Sequence, residues 1–239
     1  MAERLARRSG LDVTLSLAGR TASPVAHAVP IRVGGFGGVE GLADHLAVER
    51  VDALIDATHP YANIISENAA KAARKARVPF VALRRPPWSA VAADRWIEVG
   101  DARAAADAVG REGRNVFVTI GRNELAPFAS APQHRYLVRS VDPVDPPLLL
   151  PHVTYITARG PFSEADDCAL MTQHKIEVVI SKNSGGSAAY GKIAAARALG
   201  VEVIMLRRPQ APDAPSVNTV EDALAWLDHA LTSTAARGV

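Results

Sequence analysis

Short apolar runs rich in Val and Ile alternate with Ala-rich stretches of helical period along most of the chain. This alternation is typical of βαβ units, so it predicts an α/β fold with parallel sheets. The apolar runs predict strands at 12–17, 52–57, 80–83, 115–120, 135–141, 154–158, 177–182 and 202–206. The Ala-rich stretches predict helices at 39–49, 64–76, 102–112, 163–174, 188–199 and 220–231.

Two passages of the chain share one order of elements. Residues 51–86 read VDALIDATHPYA, an Ala-rich helix and VPFVALRRP, and residues 176–209 read IEVVISKNSGG, an Ala-rich helix and VEVIMLRRP. Each is a strand, a polar loop, a helix, a strand and Arg-Arg-Pro, which predicts one Rossmann-like lobe around each passage, with a cleft between the lobes. We expect an N-terminal lobe of residues 1–90, a C-terminal lobe of residues 91–232 and a tail of residues 233–239, with the boundary in the Pro- and Ala-containing segment 86–90.

The first residues predict the later part of a helix that ends at Ser9 and Gly10. A dinucleotide-binding Rossmann lobe normally places a strand and a Gly-rich phosphate loop before such a helix. We therefore expect the first strand and the Gly-rich loop of this lobe to be missing from the N-terminus, with weaker cofactor binding as a consequence.

Composition narrows the function classes. The 27 Lys and Arg residues nearly balance the 25 Asp and Glu residues and form no basic run, which argues against a nucleic-acid-binding tail. The single Cys168 excludes an internal disulfide, and no CxxC or HxxxH spacing indicates a metal site, so we expect a cytoplasmic protein without metal. No apolar run approaches the roughly 20 residues of a membrane helix.

In parallel sheets ligands bind beyond the carboxyl ends of the strands, so the loops there are candidate sites. The first predicted strand leads into Ser16, Gly19 and Arg20, where an Arg without an acidic residue favours the extra phosphate of NADP. A plain turn with a solvated Arg20 is the alternative. The next loop offers Gly35, Phe36 and Gly37, whose backbone can approach a ligand closely with Phe36 as the one side chain presented, or which form a simple Gly-rich hairpin.

The loop DATHPYA follows the strand at 52–57. His59 has a pKa suited to proton transfer, Asp56 is placed to orient it, and Tyr61 adds a donor near a helix start. The alternative is a structural role, because Asp and Thr often cap helices and Pro60 suits a helix start.

The matching loop of the second passage carries Lys182, Asn183, Ser184, Gly185 and Gly186, a combination that suits carboxylates or phosphates. Arg122, Arg139 and Arg159 also stand at strand ends or in the loops that follow them. Each arginine alone is an ordinary surface residue, but their shared position favours a polyanionic ligand.

Nine short motifs, taken in order, resemble the precorrin-6A reductases of cobalamin biosynthesis: SLAGRT, RVGGFGG, VDALIDATHPYA, RRPPW, VFVTIGRNEL, LVRSVDP, ARGPF, ISKNSGG and VIMLRRP. The resemblance implies a two-lobed, Rossmann-like reductase that transfers hydride from NADPH to precorrin-6A and gives precorrin-6B. It implies a tetrapyrrole substrate with several carboxylates, which fits the arginines. Similar members begin with a strand and a Gly-Gly-Thr loop, and this chain departs from them there.

Carried over by position, the resemblance implies an adenosine site at Ser16, Gly19 and Arg20. It implies further cofactor contacts at Gly35, Phe36, Gly37, Thr58, His59, Pro60 and Tyr61, and substrate contacts at Lys182, Asn183, Ser184, Gly185 and Gly186. His59, Tyr61, Lys182 and a bound water all stay open as the proton donor. A cobalt-precorrin-6A reductase and a non-catalytic tetrapyrrole- or nucleotide-binding protein are the alternatives, and other pathway enzymes are candidate partners.

Overall fold

The computed structural model of the protein describes residues 1–19 and 26–235. In chain order its helices and strands are α1 Ala2–Ala6, β1 Leu15–Leu17, β2 Ile31–Val33, α2 Gly38–Val48, β3 Leu54–Asp56, α3 Asn63–Ala76, β4 Phe80–Leu83, β5 Trp96–Val99, α4 Ala102–Ala108, β6 Asn115–Val118, β7 Arg135–Ser140, β8 Val153–Thr157, α5 Glu164–Gln173, β9 Val178–Lys182, α6 Gly191–Leu199, β10 Glu202–Leu206, β11 Ser216–Val217 and α7 Val220–Ala235. Two 3-10 turns, Arg122–Glu124 and Ala126–Ser130, follow β6. The α/β class with parallel sheets is confirmed.

The chain divides into two compact units. Unit 1 comprises Met1–Arg85 and Gln210–Val239, and unit 2 comprises Pro86–Pro209. The expected C-terminal lobe of 91–232 is thus wrong for residues 210–232, which return to unit 1. They return because β11 pairs with β4 and because α7 packs Leu224 and Leu227 against Leu5.

Unit 2 is built on one six-stranded parallel sheet in the order β5-β10-β9-β6-β7-β8. Its central strands are continuous apolar runs, as expected of a sheet covered on both faces. Val116 in β6 and Val179 and Ile180 in β9 are completely buried. Helices α5 and α6 contribute Met171 and Ile193 to the same core.

The strand order of unit 2 reverses between β6 and β9. From β6 the chain moves outward to β7 and β8, whereas from β9 it moves the other way to β10. The carboxyl ends of β6 and β9 therefore mark the topological switch point, where parallel sheets usually bind their ligands.

Unit 1 carries two parallel sheets, the pair β1-β2 and the three strands β11-β4-β3. Within the residues that the structure describes, β1 and β3 do not pair with each other. Helices α2 and α3 pack closely through Leu42, Leu46, Ala72 and Ala73, since the small alanines let the two helices approach. In a second hydrophobic cluster, Ile55 of β3 packs against residues of α1 and α7.

Three strands were not predicted, and three helix ends differ from the prediction by three or more residues. Strands β2, β5 and β11 are short, with three, four and two residues. Helix α4 ends at Ala108 instead of residue 112. Helix α6 begins at Gly191 instead of residue 188, and α7 continues to Ala235, so the predicted tail loses residues 233–235 and its remainder lies outside the described residues. No helix in the described part of the chain is long and apolar enough to cross a membrane.

Candidate functional site

The Gly-rich loop between β2 and α2 is held from inside by Arg32. Its guanidinium donates to the carbonyl oxygens of Gly34 at 2.7 Å and Gly35 at 3.0 Å. It also stacks over Phe36, 3.8 Å from the ring centroid, and Phe36 in turn packs on His45 at 4.9 Å. The sequence suggested that Phe36 is presented to a ligand. In the structure its ring is instead packed between Arg32 and His45 of α2.

The same loop exposes its backbone. Gly34, Gly37 and Gly38 have φ values of 120°, 82° and 86°, and a Cβ added at any of them would meet no atom within 4 Å. Gly37 is the N-cap of α2 and Gly38 its first residue, so this open backbone lies at a helix start, where N–H groups and the helix dipole favour an anion. Gly41 was missed by the sequence reading, because only the structure shows that a Cβ there would lie 1.8 Å from the carbonyl oxygen of Phe36.

Ser16 and Gly19 lie beside this loop. Ser16 is exposed in β1, in register with Arg32 of β2, and the amide of Gly34 donates to the carbonyl of Leu17 at 2.9 Å. Gly19 needs its positive φ of 71° for the turn out of β1. Arg20, the residue predicted to select NADP, lies outside the described residues.

The DATHPYA loop leaves the end of β3. Asp56 is buried, at 7 % exposure, and its Oδ1 accepts from the amide of Thr58 at 3.0 Å. The hydroxyl of Thr58 lies 2.9 Å from that of Ser66 in α3. Asp56 therefore shapes the turn through Thr58, and its role in orienting His59 stays a prediction.

His59 is exposed at the tip of this loop. Its Nδ1 accepts from the amide of Tyr61 at 3.3 Å, so the neutral ring carries its proton on Nε2. The rings of His59 and Tyr61 lie 5.6 Å apart, on either side of Pro60 in the chain. Helix α3 then begins with Ala62 at the N-cap, which supplies no side-chain cap, so polar groups of a ligand can approach its first turn.

In unit 2 the loops after β6 and β9 meet at the switch point. Lys182, the last residue of β9, forms an ion pair through Nζ with Oε2 of Glu124 in the first 3-10 turn. The two side chains are 16 % and 36 % exposed. Glu124 was not predicted, because its partner becomes evident only when β6 and β9 are known to be neighbours.

Asn183 does not present its side chain to a ligand. Its Oδ1 accepts from the amide of Trp88 at 2.7 Å, and its Nδ2 donates to the carbonyl of Trp88 at 2.8 Å. The Trp88 indole N–H donates to the carbonyl of Gly186 at 2.8 Å. These bonds dock residue 88 onto the SKNSGG loop.

Gly185 completes this docking. With φ of 67°, it allows the carbonyl oxygen of Pro86 to approach so closely that a Cβ would lie 2.2 Å from it. Arg208 donates from Nε to the carbonyl of Asn183 at 2.7 Å and from Nη2 to that of Pro86 at 3.3 Å. Ser184 is half-buried, and its amide donates to the carbonyl of Lys182 at 2.8 Å. The loop is therefore a rigid scaffold around Lys182.

The three predicted strand-end arginines separate in the structure. Arg122 and Arg159 are exposed, whereas Arg139 is buried at 8 % exposure. The guanidinium of Arg139 binds Asp167 at 2.5 and 3.5 Å and lies over the ring of Phe162 at 3.7 Å. This corrects the expectation that Arg139 binds substrate, since its charge is used inside the fold.

Lys192 of α6 belongs to the same buried charge cluster. Burial, with repulsion from Arg139, lowers the pKa of its ammonium to about 8, although Asp167 acts in the opposite direction. Its Nζ donates to the carbonyl of Ala189 at 2.7 Å.

Arg122 borders a pocket of about 440 Å³. The wall is mostly apolar and includes Leu125, Pro146 and Leu148, while Arg122 and Asn123 supply polar groups. Nη1 of Arg122 donates to the carbonyl oxygen of Pro143 at 3.5 Å. A pocket with apolar walls and a cation can take a flat ring that carries a carboxylate.

Comparison with known proteins adds the decisive observation. The model of the family "Precorrin-6x reductase CbiJ/CobK" matches residues 1–228. This chain belongs to that family. It is therefore an enzyme of the reductase class that acts in cobalamin biosynthesis.

Similar proteins agree along nearly the whole chain. A precorrin-6A reductase of Sinorhizobium sp is 51 % identical over 96 % of this chain and 88 % of its own length. One of Rhodobacter capsulatus is 45 % identical over 97 % and 94 %. A solved structure titled CobK precorrin-6A reductase superposes with a TM-score of 0.90 at 44 % identity, covering 95 % of this chain and 92 % of that one. Across the described residues, no group of three or more His, Cys, Asp or Glu is arranged to hold a metal ion.

Proposed function

We propose that the protein reduces precorrin-6A to precorrin-6B with NADPH as the hydride donor. Family membership supports the reaction, and the relatives named above are precorrin-6A reductases. The reduction adds one hydride and one proton across a double bond of the macrocycle, and the bound cofactor supplies the hydride.

Unit 1 is the proposed NADPH-binding lobe. Its fit rests on the open backbone of Gly34, Gly35 and Gly37 at the start of α2, which gives a phosphate or ribose room to approach. Thr58, His59 and Tyr61 at the end of β3 would contact the cofactor farther along. Ser16, Gly19 and Arg20 are the proposed adenosine contacts, with Arg20 binding the 2′-phosphate.

Unit 2 is the proposed substrate-binding lobe. Lys182 and the exposed Arg122 and Arg159 would bind carboxylates of the tetrapyrrole. Asn183, Gly185 and Gly186 hold the loop that carries Lys182, so we propose that they act by shaping the site. We infer that most of the rate enhancement comes from holding the cofactor and the macrocycle in a productive geometry.

His59, Tyr61 and Lys182 remain the protein groups proposed as proton donors. His59 would donate its proton from the imidazolium form, because the neutral ring, whose Nδ1 accepts from Tyr61, would become an imidazolate if it lost the Nε2 proton. Separate pH profiles of kcat for His59→Gln and Tyr61→Phe would show whether either side chain delivers the proton. A profile that neither substitution alters would exclude both residues and favour Lys182 or water.

Cofactor choice is tested most directly at Arg20. We expect Arg20→Ala to weaken NADPH much more than NADH in calorimetry, because only NADPH carries the 2′-phosphate. Arg7→Ala is the matched control, since it removes an exposed charge from the same unit and should affect both cofactors little. Equal losses of NADPH and NADH affinity for Arg20→Ala would exclude the proposed role.

The form of the substrate needs its own comparison. We expect turnover of metal-free precorrin-6A to exceed that of the cobalt-loaded macrocycle, in line with the names of the similar proteins. Faster turnover of the cobalt form would favour the cobalt-precorrin alternative. Binding of both NADPH and macrocycle without turnover would favour a non-catalytic binding protein.

We also propose a cytoplasmic location, which the single, half-buried Cys168 supports. Contacts with other enzymes of the pathway are a further proposal.

A further inference from the structure

The ion pair between Lys182 and Glu124 is fixed by two rigid backbones. Lys182 ends β9 and is in ladder register with Leu206 of β10. Glu124 ends a 3-10 turn that is anchored by the next residue, Leu125, which is 1 % exposed. The two side chains therefore meet at the switch point without any rearrangement of the loops.

The pair brings to Lys182 the chemical group that the proposed substrate would bring. A glutamate side chain ends in the same carboxylate as an acetate or propionate substituent, and an ammonium group pairs with either as a point charge. Because Glu124 is 36 % exposed, its carboxylate can turn into solvent when another one replaces it. Such an exchange keeps Lys182 paired throughout.

We propose that Glu124 is a specificity-determining residue, an internal carboxylate that holds Lys182 until a carboxylate of the macrocycle displaces it. This inference rests on the proposed function. A ligand without a carboxylate at this position cannot replace the ion pair, so Glu124 discriminates against it. The same competition lowers the affinity for the correct substrate.

Gly121 offers a way to disturb Glu124 without changing charge. Its φ of −64° and ψ of 144° suit any residue, so alanine brings no backbone strain. A Cβ there would lie 3.3 Å from Oε2 of Glu124, closer than ordinary contact, and would push the carboxylate aside.

The first test measures steady-state kinetics with precorrin-6A. We expect Glu124→Gln to lower the KM for precorrin-6A about fivefold, the effect of releasing a partly exposed ion pair. Gly121→Ala should lower KM in the same direction but less. Asp107→Asn is the control, because it removes one negative charge from an exposed ion pair with Arg103 on α4 of the same unit. An unchanged or raised KM for Glu124→Gln would overturn the proposal.

A second test separates this proposal from the proposed function. The ¹⁵N signal of the Lys182 side chain, assigned through Lys182→Arg, is followed while uroporphyrin, a polycarboxylate macrocycle, is added. We expect the signal to shift, and to shift at lower concentration in Glu124→Gln, whereas the fully esterified macrocycle leaves it unchanged. An enzyme that shows this shift but does not reduce precorrin-6A would refute the proposed function alone. No shift, or an equal shift with the ester, would refute the exchange even in an active reductase.

Discussion

The side-chain amide of Asn183 bonds both backbone groups of Trp88, at 2.7 Å to the nitrogen and 2.8 Å to the carbonyl oxygen. The side-chain amide both accepts and donates, so it bonds the Trp88 backbone in the way that a neighbouring β-strand residue would. The bonds hold residues 86–88, the first residues of unit 2, on the loop that carries Lys182.

Loss of the Asn183 amide should destabilise the protein. Asn183→Ala removes both bonds and leaves two backbone groups without partners, so we expect the free energy of unfolding to fall by about 1–3 kcal/mol. Urea unfolding followed by tryptophan fluorescence measures the change. Asn123→Ala, at an exposed position on the neighbouring loop, should have almost no effect. Equal stability of the two variants would show that the Trp88 bonds contribute nothing.

Gly185 and Gly200 allow strain and steric clash to be separated. Both have positive φ, 67° and 65°, but a Cβ meets the Pro86 carbonyl at Gly185 and no atom within 4 Å at Gly200. We expect Gly200→Ala to cost about 1–2 kcal/mol from backbone strain alone. Gly185→Ala should cost about 1–3 kcal/mol more, because Pro86 must move. Equal costs in denaturant unfolding would rule out the close approach of Pro86.

The buried pair of Arg139 and Asp167 should depend strongly on both partners. Arg139→Met leaves a buried carboxylate without its partner, and we expect a loss of about 3–5 kcal/mol. The double variant Arg139→Met, Asp167→Leu should recover most of this loss, since the carboxylate that lost its partner is removed as well. A double-mutant cycle measures the coupling. The same cycle on the exposed pair Arg103 and Asp107 should give less than about 1 kcal/mol.

His134 should make stability depend on pH below neutrality. The side chain is fully buried, and burial, with the nearby charge of Arg114, lowers the pKa of His134 below its usual 6.5. Below pH 6.5 His134 is therefore protonated in the unfolded chain but stays neutral in the folded protein until its lower pKa is reached. Stability is complete above pH 6.5 and falls as pH decreases towards the folded pKa, by at most about 1.4 kcal/mol per pH unit.

The substitution His134→Gln should remove this part of the pH dependence. The free energy of unfolding is measured between about pH 5 and 8, where histidine titrates, and its slope against pH is compared between variants. His152→Gln, at an exposed position of the same unit, should leave the slope unchanged. If His134→Gln kept the full slope, other groups would have to account for it.

Much of the fold could be predicted from the apolar pattern, because the strands that form the core are long and continuous. β6, β9 and β10 were predicted for this reason. β5 was missed because Glu98 and the preceding Asp94 and Arg95 interrupt the pattern at an edge of the sheet. The return of β11 to unit 1 was missed as well, although each chain crossing lies at an Arg-Arg-Pro, the first between Arg85 and Pro86 and the second directly after Pro209.

The candidate site could be predicted as a set of loops but not as a set of contacts. Parallel strands end at the same edge, which correctly drew attention to the loops after β6 and β9. Sequence does not show which face a strand-end residue occupies, so Arg139 was predicted to bind substrate although it pairs with Asp167 of α5 in the interior. The pairing of Lys182 with Glu124 depends on strand order, which a single sequence does not give.

The most direct test of the central claim is anaerobic incubation of the protein with precorrin-6A and NADPH that carries deuterium at the reactive C4 position. Mass spectrometry of the macrocycle and the absorbance of NADPH are followed together. We predict that NADPH is oxidised and that one deuterium enters the reduced macrocycle. Folded protein that leaves both NADPH and precorrin-6A unchanged would contradict the account.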